Sequence, residues 1–213
     1  MKIDRYRKWL DELGLLNRPW LILGSAPAPT LPEALLADHA RVDINNAGRT
    51  AVDLGLGRAD LTFRAKAKPW SEHPDLDTHA LLWIHTKPRW YARWKLRYRP
   101  HRHIGSLEVL TPKARERIVM AEAAIPVSEI GDLGKVTNGV AAACFGLACG
   151  VPHIVLSGIS LTTAGHSYDR NNRLRMQITE DRAVLKALAK RSEVSTTESE
   201  LAGETGLTLY KGL

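Results

Sequence analysis

The chain has 213 residues, of which 44% are apolar and 25% charged, so its length and composition suit one soluble globular domain. Its apolar runs fall short of the roughly 18 residues that a transmembrane helix needs. The start, MKIDRYRKWLDELGLL, lacks the uncharged core of a secretory signal. The formal net charge of +7 is less ordinary and favours a polyanionic partner or surface.

The N-terminal segment is predicted to be an amphipathic helix with Tyr6, Trp9, Leu10 and Leu13 on one face. Short segments that are apolar, or that alternate between apolar and polar residues, are predicted as strands. In chain order these are 19–24, 41–45, 61–63, 80–86, a weak candidate at 107–110, 153–158 and a last candidate at 206–210.

Helical segments are predicted between these strands. They lie within 26–40, from 47 onwards, at about 112–123, at 138–149 and at 179–191. Gly150 is the expected stop signal of the helix before it. Thr179 is the expected N-cap of the last helix, with Glu180 and Asp181 in its first turn. The polar stretch 191–205 is predicted to be a mobile connection.

Strands and helices alternate throughout, which indicates an α/β fold with a mostly parallel sheet flanked by helices. No repeat or second domain is evident, so residues 1–213 are predicted to form a single domain with a basic-aromatic insertion at about 85–103. Cys144 and Cys149 lie five residues apart in one predicted helix. They fit neither a metal site nor a disulfide framework, so we expect core residues in a reducing compartment.

Polar and glycine residues follow the predicted strands at the edge where such sheets bind ligands. The candidate nucleotide-binding residues are Gly24, Ser25, Asn45, Asn46, Thr137, Asn138, Gly139, Ser157 and Gly158. The residues at 137–139 start a helix, whose free amides suit a phosphate. Structural roles are the alternative, since Asn forms turns and Thr caps helices. The pattern predicts a site for a phosphate-bearing small molecule, and a nucleotide is the expected class.

The sequence lacks the usual phosphate and hydrolase motifs. Neither G-x-x-x-x-G-K-[ST] nor G-x-G-x-x-G follows the first strand, where Pro27 and Pro29 stand instead. There is also no G-x-S-x-G and no convincing metal triad, so no metal site is predicted. P-loop and ordinary dinucleotide-binding functions are therefore disfavoured.

Basic and aromatic residues interleave in the segment HTKPRWYARWKLRYRPHRH, residues 85–103. The predicted contacts with an acidic acceptor or an anionic membrane surface are Arg93, Lys95, Arg97 and Arg99. The alternative is a solvated surface helix with its aromatics, such as Trp90 and Trp94 at i, i+4 spacing, packed on the core. His85, His101 and His103 are expected at the surface.

The segment KVTNGVAAACFGLACGVPHIVLSGISLTTAGHSY, residues 135–168, resembles the middle motif of small bacterial sialyltransferases. In that family [RK]-x-T-[SN]-G starts a helix, and a glycine turn, a strand ending in S-G-I-D and a G-x-x-Y follow. LILGSAPAPTL is similar to the family's first strand and its G-N-G-P-S-L turn. RVDINNAG is similar to the strand that carries a nucleotide-contacting Asn. The order and spacing agree over about 19–63 and 135–190, whereas 64–134 shows little resemblance.

The resemblance implies a Rossmann-like, GT-A-like fold and a CMP-sugar donor. It implies inverting transfer of sialic acid or a similar acidic sugar, with no obligatory metal or other cofactor. The implied acceptor is a glycan or glycolipid of lipopolysaccharide or capsule biosynthesis. The implied location is the cytoplasm, or the periphery of the inner face of the membrane.

Residue roles follow from the same resemblance. Asn45 falls where the family holds the nucleotide, and Ser25 falls where it has an Asn near the departing phosphate. Residues 137–139 fall at the cytidine- and ribose-binding turn, with Lys135 in place of the usual Arg. Tyr168 matches a tyrosine that supports the phosphate as it leaves. Such donors lower the barrier because negative charge develops on that phosphate.

The chain departs from the family at three places. Thr162 replaces a second phosphate tyrosine, and Ser160 replaces the Asp of S-G-I-D. Gln177, or Met176 in another alignment, stands where the family has its general base, a His. Neither side chain takes a proton at neutral pH, and His166 is the last histidine of the chain.

Three interpretations stay open, with His166, Tyr168 and Gln177 as the catalytic candidates. The chain is an active transferase with another base, for which His166 is the nearest candidate. Alternatively, it is a weakened relative that only binds a nucleotide sugar, or an engineered variant whose base was changed to Gln. A nucleic-acid-binding protein is a further class, suggested by the charge, but the strand-end clusters lie apart from the basic segment and argue against it.

Overall fold

The structure is a computed structural model that describes residues 3–98, 100–162 and 176–211. Within these ranges eight strands form one sheet: β1 (Trp20–Leu23), β2 (Ala40–Ile44), β3 (Ala59–Ala65), β4 (Thr78–Ile84), β5 (Ser106–Leu110), β6 (Ile154–Ser157), β7 (Val194–Thr196) and β8 (Thr208–Leu209). Their order is β5-β4-β3-β2-β1-β6-β7-β8. Every neighbouring pair is parallel, which confirms the predicted α/β fold.

Helices cover both faces of this sheet. They are α1 (Asp4–Glu12), α2 (Glu33–Asp38), α3 (Ala47–Asp53), α4 (Arg89–Arg97), α5 (Pro112–Ala123), α6 (Asn138–Cys149), α7 (Ile178–Leu188) and α8 (Ser199–Thr205). Helices α1, α5, α6 and α7 share one apolar core, whereas α2, α3 and α4 pack in separate clusters against the alternate residues of the strands. None of the helices in the described ranges has the length and apolar character that crossing a membrane requires.

The sheet has one topological switch point. The chain builds outward from β1 to β5 and then returns to the other side of β1 with β6. In open parallel sheets ligands bind beyond the carboxyl ends of the strands, at the point where the strand order reverses. This position explains why the candidate residues that follow β1 and β6 lie next to each other.

Helix α6 lies at the centre of the core. Its side chains are small and apolar nearly all round, and nine of its twelve residues are buried. Phe145 is its large anchor and contacts the rings of Tyr6, Trp20 and Phe63 at centroid distances of 5.3, 6.4 and 6.0 Å. Gly150 ends the helix with φ of 85°, as the sequence predicts. Both cysteines are free and buried.

Two predictions about the C-terminal region are wrong. The stretch 191–205 holds β7 and α8 instead of a mobile connection. The sequence pattern does not reveal strand β7 because the strand is short and polar. Its buried Thr196 hydroxyl donates to Leu156 O at 2.9 Å. Thr179 is not the N-cap of α7, because the helix begins at Ile178 and Gln177 holds the cap position.

The expectation that the histidines of segment 85–103 lie at the surface is also wrong for two of them. His85 and His101 are each only 1% exposed. The His101 ring lies 4.3 Å from Trp70 and the His85 ring 4.9 Å from Trp83, between centroids. Trp70 lies 31 positions before His101, so the local pattern did not reveal that contact. His85 directly follows the buried end of β4, beside Trp83, and its position in the basic segment gave the wrong expectation.

The tight seat of α6 on the sheet gives a first prediction. A Cβ at Gly146 would lie 2.8 Å from Ile154 Cδ1 and 3.1 Å from Trp20 Cε3. Gly146→Val should therefore lower the free energy of unfolding by about 1–3 kcal/mol through overpacking. Gly203→Val is the matched control, since Gly203 is also helical and has nothing within 4 Å of a built Cβ. Urea titration of both variants checks this, and equal losses would contradict it.

Candidate functional site

Two glycines set the geometry of the switch point. Gly24 N donates to Ser157 O, and Ala26 N donates to Gly158 O, both at 2.8 Å. Gly158 has φ of 62°, and a Cβ there would lie 2.9 Å from Gly24 O. A Cβ on Gly24 would clash with Gly158 O in turn. Only glycine allows the two backbones to approach this closely.

Glu198 ties the ends of β6, β7 and the loop after β1 together. Its Oε1 accepts from Gly158 N at 2.7 Å and from Thr30 N at 3.1 Å. The Ser157 hydroxyl donates to Thr30 O at 2.9 Å and lies 3.4 Å from Glu198 Oε1. The polar groups of Ser157 and the amide of Gly158 are thus used in shaping the edge, and direct ligand contacts from them stay a prediction. Sequence reasoning missed Glu198 because its segment was interpreted as a loose connection.

Asn45 links β2, β3 and α6. It has φ of 55°, a left-handed conformation that Asn tolerates better than most residues. Its Oδ1 accepts from Ala65 N at 2.9 Å and from Asn138 Nδ2 at 3.0 Å. Within the described part of the chain, its own Nδ2 has no hydrogen bond, so this amide can still donate to a ligand.

Asn46 lies deeper and is wholly buried. Its Nδ2 donates to Glu72 Oε2 at 2.7 Å, and its Oδ1 accepts from Arg64 at 2.8 Å. Arg64 is also fully buried and stacks over Trp70 at 4.6 Å. This chain of contacts holds the loop after β2 in place, and neither Arg64 nor Glu72 was among the predicted site residues.

The start of α6 completes the cluster. Thr137 holds the N-cap position, yet within the described residues its side chain does not cap the helix. The backbone of Thr137 is fixed instead, since its N donates to Asp181 Oδ1 at 2.7 Å and its O accepts from Arg115 at 3.1 Å. A Cβ at Gly139 would lie 2.8 Å from Ile159 Cδ1, so the first turn packs against the chain just after Gly158.

The structure therefore brings the predicted clusters at 24–25, 45–46, 137–139 and 157–158 to one edge of the sheet. The first-turn amides of α6 have no partner within the helix, and no side-chain cap is seen for them in the described residues. Such an end attracts anions. The edge can thus bind a phosphate or another anion through backbone amides and the Asn45 amide. Ser25 is half-buried beside it.

Gln177 lies beside the same turn. It is half-buried, and its Nε2 donates to Val136 O at 3.2 Å. An amide in this place can hold a backbone carbonyl or donate to a ligand but cannot act as a base. Met176, the alternative from the other alignment, is 66% exposed. His166 and Tyr168 lie outside the described residues.

A carboxylate lies next to Ser160, the residue that stands in place of the Asp of S-G-I-D. Ser160 Oγ donates to Glu200 Oε2 at 2.7 Å, and Thr162 N donates to Glu200 Oε1 at 3.2 Å. Partial burial raises the pKa of Glu200, but the hydrogen bonds from Ser160 and Thr162 outweigh it and hold that pKa below its ordinary value. Glu200 was missed for the same reason as Glu198.

The basic segment presents α4 on the face opposite to α6. Arg93 is committed to structure, since its guanidinium donates to Ile104 O at 3.1 Å and Gly105 O at 3.0 Å. Lys95 is half-buried and Arg97 exposed, and Arg99 lies outside the described residues. Arg93, Lys95 and Arg97 lie outside the strand-end cluster.

A charged cavity of about 150 Å³ lies between β2, α3 and the chain after β3. Its lining includes Asp43 and His73. Both side chains pack against Gly48, because a Cβ built on Gly48 would lie 3.3 Å from Asp43 Oδ2 and 2.6 Å from His73 Cε1. Burial raises the pKa of Asp43 to about 6, although Arg41 opposes this. Burial, with help from Arg64, lowers the pKa of His73 to about 4. Among the described residues no group of three His, Cys, Asp or Glu is placed to hold a metal ion.

These two pKa shifts give opposite pH dependences of stability. The unfolded values are 3.8 for Asp43 and 6.5 for His73. Between about pH 4 and 6 folded Asp43 keeps a proton that the unfolded chain has lost, so its contribution falls as pH rises. Between about pH 4 and 6.5 the unfolded chain binds a proton that folded His73 does not, so this contribution rises with pH.

We expect Asp43→Asn to gain stability relative to the native chain as pH rises from 4 to 6. His73→Gln should lose stability relative to the native chain as pH rises from 4 to 6.5. Each slope is at most about 1.4 kcal/mol per pH unit. Urea titrations across this range measure both, with Asp53→Asn as the control for an exposed carboxylate on α3. Differences that do not change with pH would contradict the assignment.

No protein-family model matches the chain, and no curated protein matches it. Solved structures do match. The sialyltransferase CstII from Campylobacter jejuni in complex with cytidine-5'-monophosphate is 14% identical with a TM-score of 0.54, over 92% of this chain and 88% of that chain. The monofunctional alpha-2,3-sialyltransferase Cst-I from Campylobacter jejuni is 13% identical with a TM-score of 0.55, over 91% and 81%.

A third match is the sialyltransferase CST-II in complex with a trisaccharide acceptor and CMP. It is 15% identical with a TM-score of 0.52, over 90% of this chain and 86% of that chain. At these identities the likeness establishes the fold alone. The protein has a sialyltransferase-like fold, as the resemblance in the sequence implied.

Proposed function

We propose that the protein is a glycosyltransferase that moves sialic acid or a similar acidic sugar from a CMP-sugar to a glycan acceptor, with inversion. One observation carries the proposal: Asn45, the start of α6 and the paired glycines converge at the switch point of a sialyltransferase-like sheet. The solved structures with this fold include complexes with CMP. No metal or other cofactor is part of the proposal.

The chemistry of the edge supports this choice. Loss of CMP from a sugar builds negative charge on its phosphate, and donors fixed in place before the reaction stabilise that charge. The first-turn amides of α6 are fixed because Asp181 and Arg115 hold the backbone of Thr137. Under the proposal, Asn45 and residues 137–139 hold the nucleotide, and Tyr168 assists the leaving phosphate.

A second candidate is a protein that binds a nucleotide sugar but transfers it poorly. The observation that favours it is Gln177, which lies beside the α6 turn and cannot take the proton of an acceptor hydroxyl. The two candidates share the donor site and differ in the base, so two experiments separate them.

The first experiment tests the donor site. CMP should raise the melting temperature of the chain, and UDP and GDP should not. At a hundred times its dissociation constant a ligand adds roughly 2.7 kcal/mol to the free energy of unfolding. Asn138→Ala should lose most of the shift, because Asn138 joins Asn45 to the start of α6.

Asn17→Ala is the matched control, since Asn17 is exposed and lies in the connection between α1 and β1. It should keep the full shift with CMP. A shift with UDP but none with any cytidine nucleotide would overturn the proposed donor.

The second experiment tests the base. Gln177→His places an imidazole next to Val136 and the α6 turn, where a proton acceptor is missing. General-base assistance typically supplies 10²–10⁴-fold, so transfer from a CMP-sugar to a glycan should rise by at least about tenfold. Hydrolysis of the CMP-sugar to water is measured in parallel and should change less.

His166→Ala tests the rival base. If this change abolishes transfer and Gln177→His has no effect, His166 is the base and position 177 is not. If neither change matters and no CMP-sugar supports transfer, the binding protein is the better account.

A further inference from the structure

Helix α4 has one face in the core and one face in solvent, and the solvent face carries large aromatic side chains. Ala92 and Leu96 are buried in a cluster with Trp83, Leu107 and Val109. On the opposite side three large aromatic side chains are exposed. They are Trp90, Trp94 and Tyr98, with exposures of 71%, 50% and 76%.

These three aromatics form one continuous strip. Residues four apart lie on the same side of a helix, so the strip runs about 12 Å along α4. Ring centroids are 5.8 Å apart between Tyr91 and Trp94 and 5.5 Å apart between Trp94 and Tyr98. Trp90 joins through Tyr91 at 6.0 Å. A solvated surface helix, the alternative from the sequence, would not expose such a strip.

Positive charge surrounds the strip. No acidic residue occurs between Asp77 and Glu108, whereas seven Lys and Arg residues do. Two of them are used internally, since Arg93 binds backbone carbonyls and Arg89 lies 3.6 Å from Glu108. Lys95 and Arg97 flank the aromatic strip on its two sides, as 3.6 residues per turn requires. The lowered pKa of His85, caused by burial and by Lys66, Lys95 and Lys87, reflects the same concentration of charge.

The shape of this surface decides between possible occupants. A sugar or a nucleotide is bound in a concave site, but the strip is a ridge on the outermost side of a helix. Exposed Trp and Tyr with basic neighbours are typical of helices that lie in the headgroup region of a membrane. We propose that the outer face of α4 binds an anionic lipid bilayer, with Trp90, Trp94 and Tyr98 inserted among the headgroups and Lys95 and Arg97 against the lipid phosphates.

The test uses the full chain and sedimentation with large vesicles. Vesicles of phosphatidylglycerol and phosphatidylcholine should carry the protein down, whereas vesicles of phosphatidylcholine alone should carry at least tenfold less. Replacing Trp90, Trp94 and Tyr98 by Ser should reduce the partition coefficient at least tenfold. The control replaces Val52 and Leu54 by Ser, two apolar residues that are 65% and 47% exposed elsewhere, and should bind as the native chain does.

The charge is tested separately. Lys95→Ser with Arg97→Ser should weaken binding by roughly 30-fold, since each basic residue near an anionic surface contributes about 1 kcal/mol. Lys186→Ser with Lys190→Ser removes the same charge from an exposed part of α7 and its end. This control should leave most of the binding, and an equal loss would mean that net charge alone acts.

Three results would overturn the proposal. The native chain could fail to sediment with anionic vesicles, or bind both vesicle types equally. Alternatively, the aromatic variant could convert a dimer to a monomer in sedimentation velocity without any vesicle binding, which would assign the strip to a second copy of the chain. Circular dichroism and the melting temperature with CMP are measured on each variant. They confirm the fold and keep this test separate from that of the proposed function.

Discussion

The close approach of Gly24 and Gly158 is the constraint on which the strand-end cluster depends. These residues end neighbouring strands at the point where the topology reverses, and a side chain on either would meet the backbone of the other. Their contact leaves the Gly158 amide near the end of β7, where Glu198 accepts from it. The Glu198 carboxylate thus accepts from the amides of Gly158 and Thr30 and joins the chain segments that follow β1, β6 and β7. Buried polar groups require such partners.

Helix α6 brings its N-terminus to this edge of the sheet because the side chains that face the sheet are small. Gly139 lies against Ile159 and Gly146 against Trp20, so the helix axis comes closer to the sheet than larger side chains would allow. The same closeness brings Asn138 within 3.0 Å of Asn45 across the end of the sheet. The small-residue composition of 138–149, which is also typical of an ordinary core helix, therefore positions the candidate site.

The fold, and the position of the candidate residues at one edge of the sheet, could be predicted from the sequence, because parallel strands give strong apolar runs and their carboxyl ends share an edge. Predictions failed where tertiary contacts replace local signals. Strand β7 has only three residues, two of which are Ser and Thr, so no apolar pattern marks it, and α8 and Glu198 were missed with it. His101 is buried by Trp70, some thirty positions away in the chain. Such pairings leave no mark on the periodicity of a segment.

The contacts also explain how the candidate site can differ in sequence from proteins of the same fold. Several of its polar side chains form hydrogen bonds within the chain. Asn46 bonds to Arg64 and Glu72, and the Ser157 hydroxyl donates to Thr30 O. Among the described residues, groups that can still bind a ligand include the amides of the first turn of α6 and the side-chain amide of Asn45. Backbone amides are conserved by the fold whatever the side chains are, so an anion site of this kind tolerates wide substitution. Under the proposed function, the proton acceptor has no such backbone substitute, and the choice between transfer and binding alone depends on individual side chains such as Gln177.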